Sequence, residues 1–238
     1  MTNRSVLSKT EIAYSRLKSD LISSKLAPGE ALRIEGLQSA YEIGTTPLRE
    51  ALARLESEKF VELRPNRGFY AATLTAEDFA DLIYSRHMLE QALLRRAIDR
   101  GDDEWESRVI TAHHFLKRCK ADPTNLDLAL LSEWGDRHAA FHMALLDGAG
   151  ADRLLGFYGS VFDHLRRHQT GLMVLPALTR ARSGDNESLQ FLETLRNGMA
   201  IDNHTALMEA TLNRDAPRAL RLVEDHVQLT PYRISNPQ

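Results

Sequence analysis

The chain has 238 residues, 43% hydrophobic and 26% charged, within the ordinary range for globular proteins and enough for one large domain or two smaller ones. A net charge of −3 excludes a uniformly basic nucleic-acid coat, and no apolar run approaches the ~20 residues that span a bilayer. The single cysteine, Cys119, excludes an internal disulfide framework; with no apolar leader at the N-terminus, the expectation is a cytoplasmic chain with no membrane partner.

In chain order, residues 1–9 read as frayed, and Thr10 is placed to cap a helix to about Ser23 with Ile12, Leu17, Leu21 and Ile22 on its apolar side. Pro28-Gly29 ends the connection and Leu32 re-enters the core. Leu37, Tyr41 and Ile43 make a short apolar face, interrupted by a turn signal at Glu42-Ile43-Gly44. Thr45-Thr46-Pro47 then opens a helix, because Ser/Thr caps well and Pro is tolerated only in a first turn. Leu48, Leu52 and Leu55 form its apolar stripe, with Thr45, Thr46, Arg49 and Arg54 on the other faces. Phe60 to Leu63 alternates like a strand, Pro65-Asn66-Arg67-Gly68 turns it, and Phe69 to Ala72 returns.

Two short helices followed by a basic-tipped hairpin predict a winged helix-turn-helix, whose second helix enters the major groove while the wing touches the neighbouring backbone. Thr45, Thr46 and Arg49 are assigned to the groove, Arg49 as the reader of guanine O6 and N7. Arg54, Asn66, Arg67 and the Gly68 amide are assigned to phosphates or the wing groove. The charge distribution agrees: residues 1–74 hold 11 Lys/Arg against 9 Asp/Glu, the remainder 19 against 24.

From Thr75, with Asp78 three residues on, the pattern is helical throughout. Breaks at Gly101-Asp102-Asp103, Asp122-Pro123, Gly148-Ala149-Gly150, Ser183-Gly184-Asp185 and Asn213-Arg214-Asp215 predict six antiparallel helices, the fourth covering about 152–172 and the fifth running unbroken over about 187–212. The last eight residues read as a disordered tail. The expected fold is thus mainly α: a winged helix-turn-helix at 1–74 and an all-helical antiparallel bundle at 75–238.

Nine histidines is a high count, and four are suggestively spaced. His138 and His142 lie at i and i+4, on one helix face. His204 and His226 flank the turn near Arg214, roughly 15 and 18 Å from it along their helices at 1.5 Å per residue, so an antiparallel hairpin sets them nearly level. If the helix bearing the first pair packs beside that hairpin, four imidazoles converge, a donor set that suits Zn²⁺, Ni²⁺ and similar ions. Taken singly, each is more often an ordinary hydrogen-bonded histidine.

Thr46-Pro47-Leu48-Arg49-Glu50-Ala51-Leu52 with Leu55, and Arg64-Pro65-Asn66-Arg67-Gly68-Phe69, resemble the DNA-binding signature of the GntR family of bacterial transcription regulators. Gly44-Thr45 stands where that family often has Ser-Arg, which removes one DNA-contacting arginine and implies a different operator. Residues 76–238 resemble the FCD ligand-binding domain of the FadR subfamily, through Phe141-His142-x-x-Leu145 with Leu154-Leu155, and through His204-x-x-Leu207-x-x-Ala210, Asp215-x-x-x-Ala219 and His226. The resemblance implies a divalent metal, Zn or Ni, on His138, His142, His204 and His226, with His138 where Asp is commoner. It further implies a homodimeric repressor on palindromic double-stranded DNA, controlled by a small organic acid. Arg86, four residues before Glu90, resembles the family's Arg-x-x-x-Glu; it is assigned to an effector carboxylate, assisted by Arg166 or Arg167, with a surface Arg86–Glu90 pair as the bland alternative.

Two other readings use the same residues. In one the metal ion is itself the signal. In the other the chain is a metal-dependent enzyme, which is disfavoured because no HExxH, nucleophile elbow or carboxylate-bearing facial triad is present, and nothing positions Glu133 or Asp136 as a base.

Overall fold

The computed structural model describes residues 7–228; the disordered reading of the tail and the frayed reading of 1–9 over its first six residues lie outside them, while Ser8 and Lys9, also read as frayed, cap and open the first helix. The described residues fall into two compact units. One contains the chain up to Thr75 together with Arg166–Leu172, and the other contains the rest.

The first unit opens with α1 (Lys9–Ile22), capped by Ser8, whose hydroxyl accepts from the Glu11 amide at 3.1 Å. Thr10, expected as the cap, lies inside the helix and donates to Glu50 at 2.7 Å. α2 (Ile34–Tyr41) ends at Glu42, which takes the left-handed conformation with φ 57°. α3 (Thr45–Ser57) follows after Gly44, so both threonines sit in its first turn. Leu48, Ala51, Leu52 and Leu55 of α3 bury against Ala13, Leu17 and Leu21 of α1, closing one core with Leu37 and Phe60. The wing pairs β1 (Val61–Arg64) with β2 (Gly68–Ala71), antiparallel, with Val61 opposite Ala71 and Arg64 opposite Gly68. Its tip is a turn with Pro65 and Asn66 at the centre, Asn66 left-handed at φ 59° and the Arg67 amide closing on the Arg64 carbonyl at 3.0 Å. Gly68 follows at φ 84°, a backbone region that favours glycine.

The second unit is helical. α4 (Ala76–Arg100), α5 (Asp103–Lys117) and α6 (Leu128–Asp147) are joined by short connections, one of them containing a 3₁₀ turn at Pro123–Asn125. α7 (Asp152–Gln169) runs into a π-helical turn, Thr170–Val174, and then α8 (Leu175–Ala181). α9 (Asn186–Gly198), α10 (Ile201–Leu212) and α11 (Ala216–Gln228) complete it. Eight α-helices are therefore present among the described residues of this region, where the sequence pattern predicts six. The predicted fifth helix is two, interrupted after Gly198 at Met199-Ala200, and α8 lies in the unassigned stretch between the fourth predicted helix and the Ser183-Gly184-Asp185 break, with Pro176 in its first turn. α6 packs between α4 and α5, and α10 packs against α5 and α11. Phe141, Leu145, Tyr158, Phe162, Leu207 and Val223 meet in the shared core.

One end of that core is closed around Trp105. The indole is fully buried, donates to the Ala144 carbonyl at 2.9 Å, and carries the Arg214 guanidinium over its ring at 4.9 Å. A Cβ at Gly101 would lie 2.0 Å from the ring, and one at Gly148 2.8 Å. Because the ring is enclosed, it cannot give way. Gly101→Ala should cost about 1–3 kcal/mol, the range of overpacked cores, seen as a lower urea midpoint. An unchanged midpoint would show that the Trp105 pocket relaxes freely.

Candidate metal centre and nucleic-acid interface

Helical periodicity places His138 and His142 one turn apart on the inner face of α6, while α10 supplies His204 and α11 supplies His226. One ring nitrogen from each of the four lies within 4.8 Å of the others. His138 Nε2 and His226 Nε2 are 3.0 Å apart. His142 Nδ1 meets Glu90 Oε1 at 2.6 Å and His204 Nδ1 meets the Ala200 carbonyl at 3.0 Å. The opposite nitrogens, His142 Nε2 and His204 Nε2, are buried and have no hydrogen-bond partner among the described residues. Nitrogens held about 2.1 Å from a tetrahedral ion stand about 3.4 Å from one another, so a small inward adjustment brings this set onto a metal. The orphaned nitrogens and the all-imidazole donor set fit a divalent ion of the zinc or nickel kind.

Electrostatics keep the rings in the form a metal needs. Burial drives His138 and His226 well below the usual histidine range, with the neighbouring histidines adding to the effect. Burial also pushes His204 down to about 4. His142 is lowered by burial as well, against the pull of Glu90. All four are thus neutral at pH 7. Trp134, one turn before His138, stacks on it at 4.5 Å between ring centres and meets His204 edge-on at 6.1 Å.

The arginines assigned to an effector are placed differently from expectation. Arg86 is neither an open fork nor a surface residue: it is buried, with Nε 3.0 Å from Glu90 Oε2. The same carboxylate accepts from Tyr158 Oη at 3.0 Å. Arg167 is buried in the segment grouped with the first unit, and its Nη2 donates to the Ala72 carbonyl at 2.5 Å. Arg166 belongs to that same segment and is half-buried. Arg86 and Arg167 are thus both buried with an internal partner. Tyr158 was missed because a tyrosine in an amphipathic helix carries no signal of its own, whereas Trp134 was legible in principle as an aromatic at i−4 from His138.

On the first unit, Thr45, Thr46 and Arg49 are exposed at the start of α3, and Asn66, Arg67 and Gly68 are exposed at the wing tip. Arg54, assigned to phosphate, is exposed and engaged within the unit. Its Nη1 pairs with Glu11 at 3.1 Å, its Nε with Glu58 at 3.2 Å, and its guanidinium lies 3.7 Å from the centre of the Tyr14 ring. Tyr14 donates in turn to Glu58 at 2.7 Å. Arg54 therefore fastens α3 to α1.

A helix-turn-helix with an exposed second helix beside a hairpin wing is the architecture of a DNA-binding transcription regulator. The chain belongs to the GntR family: residues 9–71 match the bacterial regulatory proteins of the gntR family and residues 81–229 match the FCD domain. It is similar to the HTH-type transcriptional repressor GlaR of Escherichia coli K12, 34% identical over 221 residues that cover 93% of each chain. It is also similar to the HTH-type transcriptional regulator BphR of Paraburkholderia xenovorans LB400, 30% identical over 94% of this chain and 84% of the relative. Among solved structures, E. coli McbR/YncC superposes with a TM-score of 0.72 over 97% of this chain and 100% of that one, at 19% identity, a likeness of fold. The family assignment makes the chain a regulator and not an enzyme. No described helix is long and apolar enough to cross a membrane.

The metal-free protein should lose stability as pH falls. The folded-state values of the four histidines lie below the unfolded value near 6.5, so above that pH neither state binds a proton and their contribution is complete. Below it the unfolded chain takes up protons that the folded chain resists, and each histidine removes up to about 1.4 kcal/mol per pH unit. Chelated protein should therefore show a falling urea midpoint from pH 7 to 5; a flat profile would mean the imidazoles are hydrated or already charged.

Proposed function

We propose that this regulator is a cytoplasmic repressor that binds a palindromic operator as a homodimer, and that a small organic acid, held at a divalent metal in the FCD domain, sets its operator affinity. The observation that carries the reading is the convergence of four imidazoles, two of which, His142 and His204, each keep a buried nitrogen without a partner. His138, His142, His204 and His226 would hold the ion, zinc or nickel, leaving its two positive charges unneutralised by any ligand. The ion supplies a Lewis-acidic centre when bound, and an anionic carboxylate is the natural complement to that charge. The repressor assignment draws on the name of GlaR. The domain limits proposed are 1–74 for DNA binding and 75–238 for metal, effector and dimer contact.

For DNA, Arg49 reads the major groove with Thr45 and Thr46 beside it, while Asn66, Arg67 and the Gly68 amide meet the backbone. Large apolar side chains left exposed on α4 and α7, namely Tyr84, Met88 and Phe157, support a second copy as the partner of the FCD domain. Arg49→Ala should weaken operator binding at least tenfold in a mobility-shift titration, since a bidentate base contact is worth about 1–3 kcal/mol. The same titration should give two chains per palindrome. Unchanged affinity removes Arg49 from the groove, and one chain per palindrome removes the dimer.

The second reading, with the ion as the signal, rests on the same cluster. A thermal-shift screen of mono- and dicarboxylates with and without chelator separates the two. A stabilising acid whose effect vanishes on chelation supports the metal-held effector. No acid effect, together with operator affinity that follows metal concentration alone, supports the metal sensor and overturns the first reading.

A further inference from the structure

The buried group closest to the histidine cluster that the proposed function leaves without a task is Glu90. It is fully buried on α4. Oε1 lies 2.6 Å from His142 Nδ1 and 3.0 Å from Tyr158 Oη. Oε2 lies 3.0 Å from Arg86 Nε, and Arg86 Nη2 reaches Oε1 at 3.4 Å. We propose that Glu90 is a positioning residue for the metal centre: it fixes His142 in the Nδ1-protonated tautomer and aims Nε2 at the ion, while Arg86 and Tyr158 hold the carboxylate in place. The inference rests on the metal-centre reading.

The chemistry leaves little choice of tautomer. An ionised carboxylate only accepts, so the His142 nitrogen beside it donates. The lone pair then resides on Nε2, the atom that has no hydrogen-bond partner, on a ring whose centre lies 4.4, 6.1 and 5.1 Å from those of His138, His204 and His226. A charged acceptor at 2.6 Å holds the ring more firmly than the neutral carbonyl that orients His204 at 3.0 Å. It also increases the basicity of the ligating nitrogen, as carboxylate–histidine–metal arrangements do.

Arg86 has a distinct part. Spaced four residues from Glu90 on the same helix, it cancels the buried negative charge, so Glu90 acts on the His142 ring without neutralising the ion from a distance. The positive charge of the centre stays available to an exogenous anion. The network also joins three helices at one carboxylate, since Glu90 lies on α4, His142 on α6 and Tyr158 on α7.

The test begins with the unsubstituted, metal-free protein labelled with ¹⁵N-histidine. The ¹⁵N shifts of His142 should report a protonated Nδ1 and a bare Nε2. The double substitution Arg86→Met and Glu90→Met removes the pair without stranding a buried charge, an exchange that buried ion pairs often tolerate. In that variant the tautomer preference of His142 should be lost, and zinc and nickel affinities, read by competition with a chromophoric chelator, should fall about 10–100-fold. Tyr158→Phe, which leaves the Glu90–His142 bond, should keep the tautomer. A protonated Nε2 in the unsubstituted protein overturns the inference even if the variant fails to fold. So does a folded double variant with unchanged metal affinity. Failure of the unsubstituted protein to take up any metal overturns the metal-centre reading itself, and this inference with it.

Discussion

Burying a hydrogen-bonding nitrogen with nothing to bond to costs about 1–3 kcal/mol, and the C-terminal unit does so at both His142 and His204. The arrangement is stable only because large apolar surfaces pack around it: Phe141 and Leu145 from α6, Phe162 from α7, Leu207 from α10 and Val223 from α11. Each helix that supplies a ligand also supplies core residues, so the ligand positions are set by packing. An ion at the centre would turn the penalty into coordination and would couple metal uptake to the folding of the unit.

The DNA-reading unit follows the opposite rule. Arg54, Glu11, Glu58, Lys18 and Tyr14 join α1 to α3 beside the apolar cluster that contains Leu17, Leu48 and Leu52. Exposed pairs of this kind contribute little stability singly. Their effect is to engage Arg54 with Glu11 and Glu58 on the surface, while Arg49 stands exposed at the start of the reading helix.

The helix-turn-helix and wing were legible in the sequence because the Leu48, Leu52, Leu55 stripe and the Pro65-to-Gly68 turn each follow a local rule. The convergence of the four histidines was legible for a similar reason: i, i+4 spacing and equal distances from a turn are properties of single helices and one hairpin. The break at Met199-Ala200 was not, because apolar spacing continues across it, although Asn197-Gly198, a turn signal, stands immediately before it. The roles of Arg86 and Arg54 were not legible either. A basic residue at i, i+4 from an acid reads the same whether the helix face is wet or dry, and only tertiary packing decides which.

The stack of Trp134 on His138 has a practical consequence. The chain contains two tryptophans, and the other, Trp105, is sealed in the core and bonded to the Ala144 carbonyl. The protein's ultraviolet emission thus has two sources of different character, one in a closed apolar pocket and one lying against the histidine cluster. Events at the cluster reach the second indole directly, giving the molecule an internal optical label that needs no dye and no added residue.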